Sequence, residues 1–237
     1  MYGRGGAQMR FGPAHTPDVI KWLLGVHVAL FLAQGFGIAA FMYVEPQLVW
    51  EHGQVWRLFT YMWVHGGPWH LVANLLMLWM FGSEIASAWG TEKFLRYYLI
   101  TGTGAGMIIA LWQGALFYLG LSGSTMTLGA SGAIYAVLLA HSLTWPDRRI
   151  LLIIPPIPLR ALYLIPFLFL MDLIFATPGV SHVGHLGGVL VGLALLAGSG
   201  DAGITISQLQ YKFRRWRMRK KLRALDGDDE RRRRQYH

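Results

Sequence analysis

Ser131 in Gly129-Ala-Ser131-Gly132 and His185 in His185-Leu-Gly-Gly188 are the residues of this chain whose types could do covalent chemistry together. A serine hydroxyl beside an imidazole is the minimum nucleophile and general base for acyl transfer, the ring taking the hydroxyl proton as the oxygen attacks a carbonyl carbon. The tetrahedral oxyanion then needs fixed donors. His70 and Asn74 lie i and i+4 apart, on one helix face. They could supply two, and the Ser131 backbone N–H a third if Ser131 opens a helix, where the dipole is positive. Gly129 and Gly132 permit a tight backbone around the serine, and Tyr135 reads as a packing aromatic beneath the histidine. Taken alone GASG is weak, since small residues with serine are common where membrane helices touch. His182, one turn before His185, is a second candidate base. The HxxH pair has no HExxH and no cysteine, and Asp172 is the only charged acid at that depth, so no metal is expected.

The elements that must position these residues follow from hydropathy. Of 237 residues 54% are apolar and 14% charged, against about 45–50% and about 25% in soluble domains. That composition argues against a water-soluble domain, and the absence of cysteine removes disulfides, thiolate metal sites and cysteine nucleophiles together. A helix crosses the hydrocarbon core with roughly 20 apolar residues. Residues 22–44 form one charge-free window. Residues 58–83 form a second, whose helix should begin near Trp69, after the loop residues His65 to Pro68. The uncharged stretch 97–146 is too long for one crossing and breaks in the Gly/Ser/Thr run 120–129, giving helices over 94–119 and 130–145. Residues 161–200 carry only Asp172 and break at Thr177-Pro-Gly179 into a fifth and a sixth helix. The expected architecture is all-α and polytopic, with six crossings.

An even count puts both termini on one side, and 20 of the 21 lysines and arginines fall on that side, Arg57 alone lying opposite. The positive-inside rule makes it the cytoplasm. The first hydrophobic segment reads as a full span rather than a cleaved signal, and no internal repeat supports a transporter of inverted halves. The organisation expected is a cytoplasmic segment 1–19, a helical domain 20–200 and a basic cytoplasmic tail 201–237. The tail could bind anionic lipid headgroups or simply retain topology, and no nucleic-acid module precedes it, so no nucleic acid is expected as partner. The connection 43–68, with Trp50, Trp56 and Trp63, is too apolar for water and belongs in the membrane interface. The compact length and the absence of a transit-like leader favour a bacterial plasma membrane.

Helices two, four and six run inward from the outer face, so His70, Asn74, Ser131, His182 and His185 gather at one depth. Unpaired polar groups there cost several kcal/mol, so they must face each other or water. From Ser131 to Trp145 is 15 residues, or about 22 Å of helix against a core of about 30 Å. The serine therefore sits several ångströms below the outer surface. Gly184, Gly188 and Gly192 recur every four residues, as do Gly132, Ala136 and Ala140; such small-residue stripes let helix backbones touch. With the two stripes in contact, Ser131 and His185 come within hydrogen-bond reach. Arg57 and Glu84 read as structural, and His27 and His141 lie towards the cytoplasmic half. A histidine-relay channel is disfavoured because the polar residues stop in the outer half.

In chain order, Trp56-Arg57, His65, His70-Leu-Val-Ala-Asn74, Gly129-Ala-Ser131-Gly132 and His185-Leu-Gly-Gly188 with Gly192 resemble the motifs of the rhomboid family of intramembrane serine proteases, across about residues 20–200. The resemblance implies the six-helix rhomboid fold with an interfacial first loop. It makes Ser131 the nucleophile and His185 the base, in a dyad without an acid and without a cofactor. His70, Asn74 and backbone N–H groups near Ser131 would form the oxyanion site. Tyr135 would pack beneath His185, with Gly129, Gly132, Gly188, Gly192, Trp56 and Arg57 in support. The partners implied are transmembrane protein substrates, entering between helices two and five and unwinding towards Ser131 under a capping loop at 176–183. A non-proteolytic relative that binds and escorts membrane proteins is the second reading, and the intact Ser131 and His185 speak against it.

Overall fold

The helix α1 (Asp18–Ala33) opens behind Pro17, whose fixed φ and missing N–H suit a helix start. In the computed structural model, which describes residues 12–122, 125–151, 157–174, 181–198 and 218, the first apolar window does not continue as one α-helix. Two 3₁₀ turns, Gln34–Phe36 and Ile38–Phe41, take over instead. The apolar connection beyond folds into α2 (Pro46–Trp50), α3 (Arg57–Thr60) and a 3₁₀ turn Tyr61–Trp63. Arg57 ties this connection down. Its buried guanidinium donates to the carbonyls of Tyr43 and Ala40 at 2.9 Å each and to the Gln54 side chain at 2.7 Å. The neighbouring Trp56 indole donates to Phe41 O at 3.1 Å.

Pro68 sits in the first turn of α4 (Pro68–Met77), one residue from the expected start at Trp69. A π-helical turn, Leu78–Gly82, joins α4 to α5 (Ser83–Trp89). Gly90, at φ 84°, reverses the chain into α6 (Thr91–Tyr118), a conformation only glycine adopts without strain. After α7 (Ser131–Thr144) comes a hairpin that hydropathy did not signal, β1 (Arg149–Leu151) against β2 (Pro158–Arg160), with Ile150 opposite Leu159. Then follow α8 (Leu164–Ile174) and α9 (His182–Gly198). The expectations for Arg4 and Arg10, the break at 177–179, the capping loop up to residue 180 and the tail beyond 198 other than Met218 concern residues outside those described.

Among the described residues three helices are long and apolar enough to cross a membrane: Asp18–Phe36, Pro68–Trp89 and Thr91–Tyr118. Three shorter apolar helices accompany them, Ser131–Thr144, Ala161–Asp172 and His182–Gly198. The protein is a polytopic helical membrane protein, and its outer surface carries side chains that suit lipid, such as Phe36, 89% exposed, and Trp69, 83% exposed. At its centre is α7, buried from Gly132 to Ser142 and packed on α4, α5, α6 and α8. Its small residues Gly132, Ala133, Ala136 and Ala140 let the surrounding helices approach closely. Chain contacts separate Met1–Leu195 from Leu196–His237; of the second unit only the end of α9 and Met218 are described.

Candidate active site

The segment leading into α7 is fixed from both sides. Val44 and Thr127 exchange two backbone hydrogen bonds at 2.9 Å, and the Gly129 N–H donates to Tyr61 O at 2.9 Å. Gly129 has φ 116°, and a methyl group there would lie 2.6 Å from His70 Cε1. Only glycine fits on both counts, and its bare Cα lets the His70 ring close over the chain two residues before Ser131. Ser131 is the first residue of α7 and half-buried, a position whose N–H has no acceptor within its own helix.

His70 is oriented by two contacts. The Gly66 N–H donates to its Nδ1 at 3.3 Å, so in the neutral ring the proton resides on Nε2. Nε2 is the nitrogen turned to Gly129, which makes it a donor beside the start of α7. The buried Asn74 amide donates to the His70 carbonyl at 2.7 Å, leaving its second N–H for another acceptor. Behind His70, His65 is enclosed edge-on between His70 and His27, at ring separations of 5.2 and 5.3 Å. Burial, reinforced by those two imidazoles, pushes His65 down to about 3, and it stays uncharged at ordinary pH.

The small-residue stripes meet. A methyl group built on Gly188 would lie 1.8 Å from Gly132 O, one on Gly132 would lie 3.1 Å from Gly184 O, and one on Gly192 would touch Ala136 at 3.0 Å. The backbones of α7 and α9 are thus in direct contact, as glycine at these positions allows. Tyr135, on the same face of α7 as Ser131, stacks on the His185 ring at 4.0 Å and 11°. His185 is 6% exposed, whereas His182 is exposed. Both helices therefore bring their polar residues to the N-terminal end of one contact, with the rings of Tyr135 and His185 parallel. Trp56, Arg57 and Gly192 lie elsewhere, in the connection and farther along the helix contact. Among the described residues no group of three or more His, Asp or Glu side chains could hold a metal ion.

Asp172, noted in the sequence only as a lone acid at the depth of the histidines, belongs to the cluster. Asp172 of α8 places Oδ2 2.6 Å from His185 Nδ1, and the Tyr135 hydroxyl donates to the same oxygen at 2.8 Å. The expected dyad without an acid thus has a carboxylate behind its histidine. Its signal was present: Asp172 is the sole formal charge in residues 161–200, and an ionisable residue at membrane depth is a functional candidate by default. His141 sits apart, bonded to Glu84 at 2.8 Å, whereas His27, expected away from the cluster, packs 5.3 Å from His65 and bonds to the Tyr98 hydroxyl at 2.9 Å.

The family model described as Rhomboid domain matches residues 52–200. Similar proteins include the mitochondrial Rhomboid protein 1 of Saccharomyces cerevisiae, 29% identical over 204 residues covering 76% of this chain and 52% of that protein. RHOMBOID-like protein 1 of Arabidopsis thaliana is 28% identical over 153 residues, 64% of this chain and 36% of its own length. The human mitochondrial Presenilin-associated rhomboid-like protein is 32% identical over 133 residues, 54% of this chain and 34% of its own. The chain spans about half or less of the length of these relatives.

Proposed function

The chain belongs to the rhomboid family, and from that premise we propose that it is an intramembrane serine endopeptidase, hydrolysing a peptide bond in or next to a transmembrane segment of another membrane protein. Ser131 is the nucleophile and His185 the base. The imidazole takes the Oγ proton while Oγ bonds to the substrate carbonyl carbon, and the carbonyl π pair moves onto oxygen. Ser131 N–H, His70 Nε2–H and the free N–H of Asn74 receive that charge. Collapse breaks the C–N bond, His185 returns the proton to the leaving nitrogen, and water repeats the sequence on the acyl-enzyme to release the acid and regenerate Ser131.

The observation that carries this reading is the parallel stack of Tyr135 on His185 beside the Gly132–Gly188 backbone contact. It puts an ordered imidazole on the helix face that carries the serine. The three long and three shorter apolar helices support six crossings, with both ends in the cytoplasm, a helical domain 20–200 between cytoplasmic segments, and a site reached by water from the outer side. Substrate helices enter between the second and fifth of them. An integral membrane location follows from the family and the helices. The bacterial plasma membrane expected from the sequence gains no support, since two of the relatives above are named as mitochondrial proteins.

Ser131→Ala and His185→Ala, purified in lipid, should each abolish cleavage of a single-span substrate while the wild type cleaves it. Undiminished turnover in either variant would refute the assignment. Binding without cleavage by the wild type would favour the escort function instead.

A further inference from the structure

We propose that Asp172 is a positioning residue of this site: it fixes the tautomer of His185 and pairs the imidazolium that forms when Ser131 is deprotonated. The inference rests on the reading of Ser131 and His185 given above and extends a two-residue machine to a third side chain. Two donors converge on Asp172 Oδ2, His185 Nδ1–H at 2.6 Å and Tyr135 O–H at 2.8 Å. An ionised carboxylate only accepts, so Nδ1 carries the ring proton and the Nε2 lone pair is left to act as base. The Tyr135 ring that hydrogen-bonds the carboxylate also stacks on the imidazole at 4.0 Å. One histidine is therefore held by α7 through its face and by α8 through its edge, and both holds meet at a single oxygen.

During acylation the Oγ–H bond breaks, Nε2–H forms, and the ring becomes a cation. The carboxylate stays ionised and accepts no proton; it lowers the energy of the cation by proximity, as in serine proteases with a third residue. The groups in contact with this ring are Tyr135 from α7 and Asp172 from α8. The competing explanation is a polar tether between membrane helices, which would hold α8 in place and do nothing for the base.

The test uses the full chain in lipid and a fluorophosphonate, whose phosphorus Ser131 Oγ attacks as fluoride leaves and the proton passes to Nε2. Maximal labelling rate and half-saturating probe concentration are measured for the wild type, Asp172→Asn and Asp172→Glu, with a thermal melt of each. Asp172→Asn should lower the maximal rate at least ten-fold, with a ceiling of about 10⁴-fold where a protease acid is converted to its amide. Half-saturation should stay within about two-fold, and Asp172→Glu should recover most of the rate. Equal rates in the wild type and Asp172→Asn, or equal losses in Asp172→Asn and Asp172→Glu that track lowered melting, overturn the proposal and leave a tether. A wild-type protein that takes no label at Ser131 overturns the Ser131–His185 reading and this proposal together.

Discussion

Gly188→Ala should disable the protein through geometry alone, since residue 188 has no side chain to contribute to chemistry. Its added methyl would start 1.8 Å from Gly132 O and 2.6 Å from Gly132 C. A carbon rests no closer than about 3.3 Å to a carbonyl oxygen, so α7 and α9 must part by about 1.5 Å at that level. Backbone lies on the far side of the contact, and no rotamer change can relieve it. The separation acts next to Ser131 and one turn from His185, where a misplacement of about 1 Å costs about 10²-fold in rate. Overpacking also destabilises by about 1–3 kcal/mol. The assay is the fluorophosphonate labelling rate of Ser131 together with the thermal melt. Gly25→Ala is the control, because its methyl meets nothing within 4 Å and alanine is the better helix former by about 1 kcal/mol. We expect labelling reduced at least a hundred-fold for Gly188→Ala and unchanged for Gly25→Ala. Wild-type labelling in Gly188→Ala would refute the claim that direct backbone contact sets the spacing of nucleophile and base.

His182→Ala should retain most of the cleavage activity, because that ring is exposed while His185 is buried and stacked; a loss equal to that of His185→Ala would move the base. Arg57→Ala removes three hydrogen bonds to the Ala40 and Tyr43 carbonyls and the Gln54 side chain, acceptors that are half-buried or exposed. At about 0.5–1.5 kcal/mol for each hydrogen bond lost, it should lower the melting temperature. Arg57→Lys should rescue little, since an ammonium cannot reproduce the guanidinium fork, and a melt within a degree of wild type for either variant would contradict that role.

The parts of the fold that were legible in the sequence are those governed by one-dimensional rules. Charge-free length located α1, α4–α5, α6 and α9, and the glycine and alanine stripes named the faces by which α7 and α9 meet. Pro68 and the run before Ser131 marked two helix starts to within a residue. What the sequence did not disclose depends on where chains pass one another in space. The 3₁₀ turns after Ala33 keep the hydropathy of a helix but are bent by the connection that Arg57 gathers beneath them. The hairpin at 149–160 carries too few residues for a strand pattern to stand out. Asp172 and His185 lie on different helices, and residues 175–180 between them give no hint that a carboxylate on one faces an imidazole on the other.

Why the residues proposed to carry the chemistry are also those that hold the helices together follows from the solvent. In lipid an apolar side chain gains little by leaving the hydrocarbon for another helix, so association depends on close backbone packing and on hydrogen bonds. Here the glycines of α7 and α9 supply the packing. Tyr135, Asp172 and His185 supply hydrogen bonds that link α7, α8 and α9. A substitution at any of these positions therefore perturbs helix spacing and the order of the imidazole together. Rate losses should track melting losses along the Gly132–Gly188 stripe, where only distance changes, and part from them at Asp172, where asparagine preserves volume and removes charge. A common line through both sets of variants would mean that the carboxylate acts as packing and nothing more.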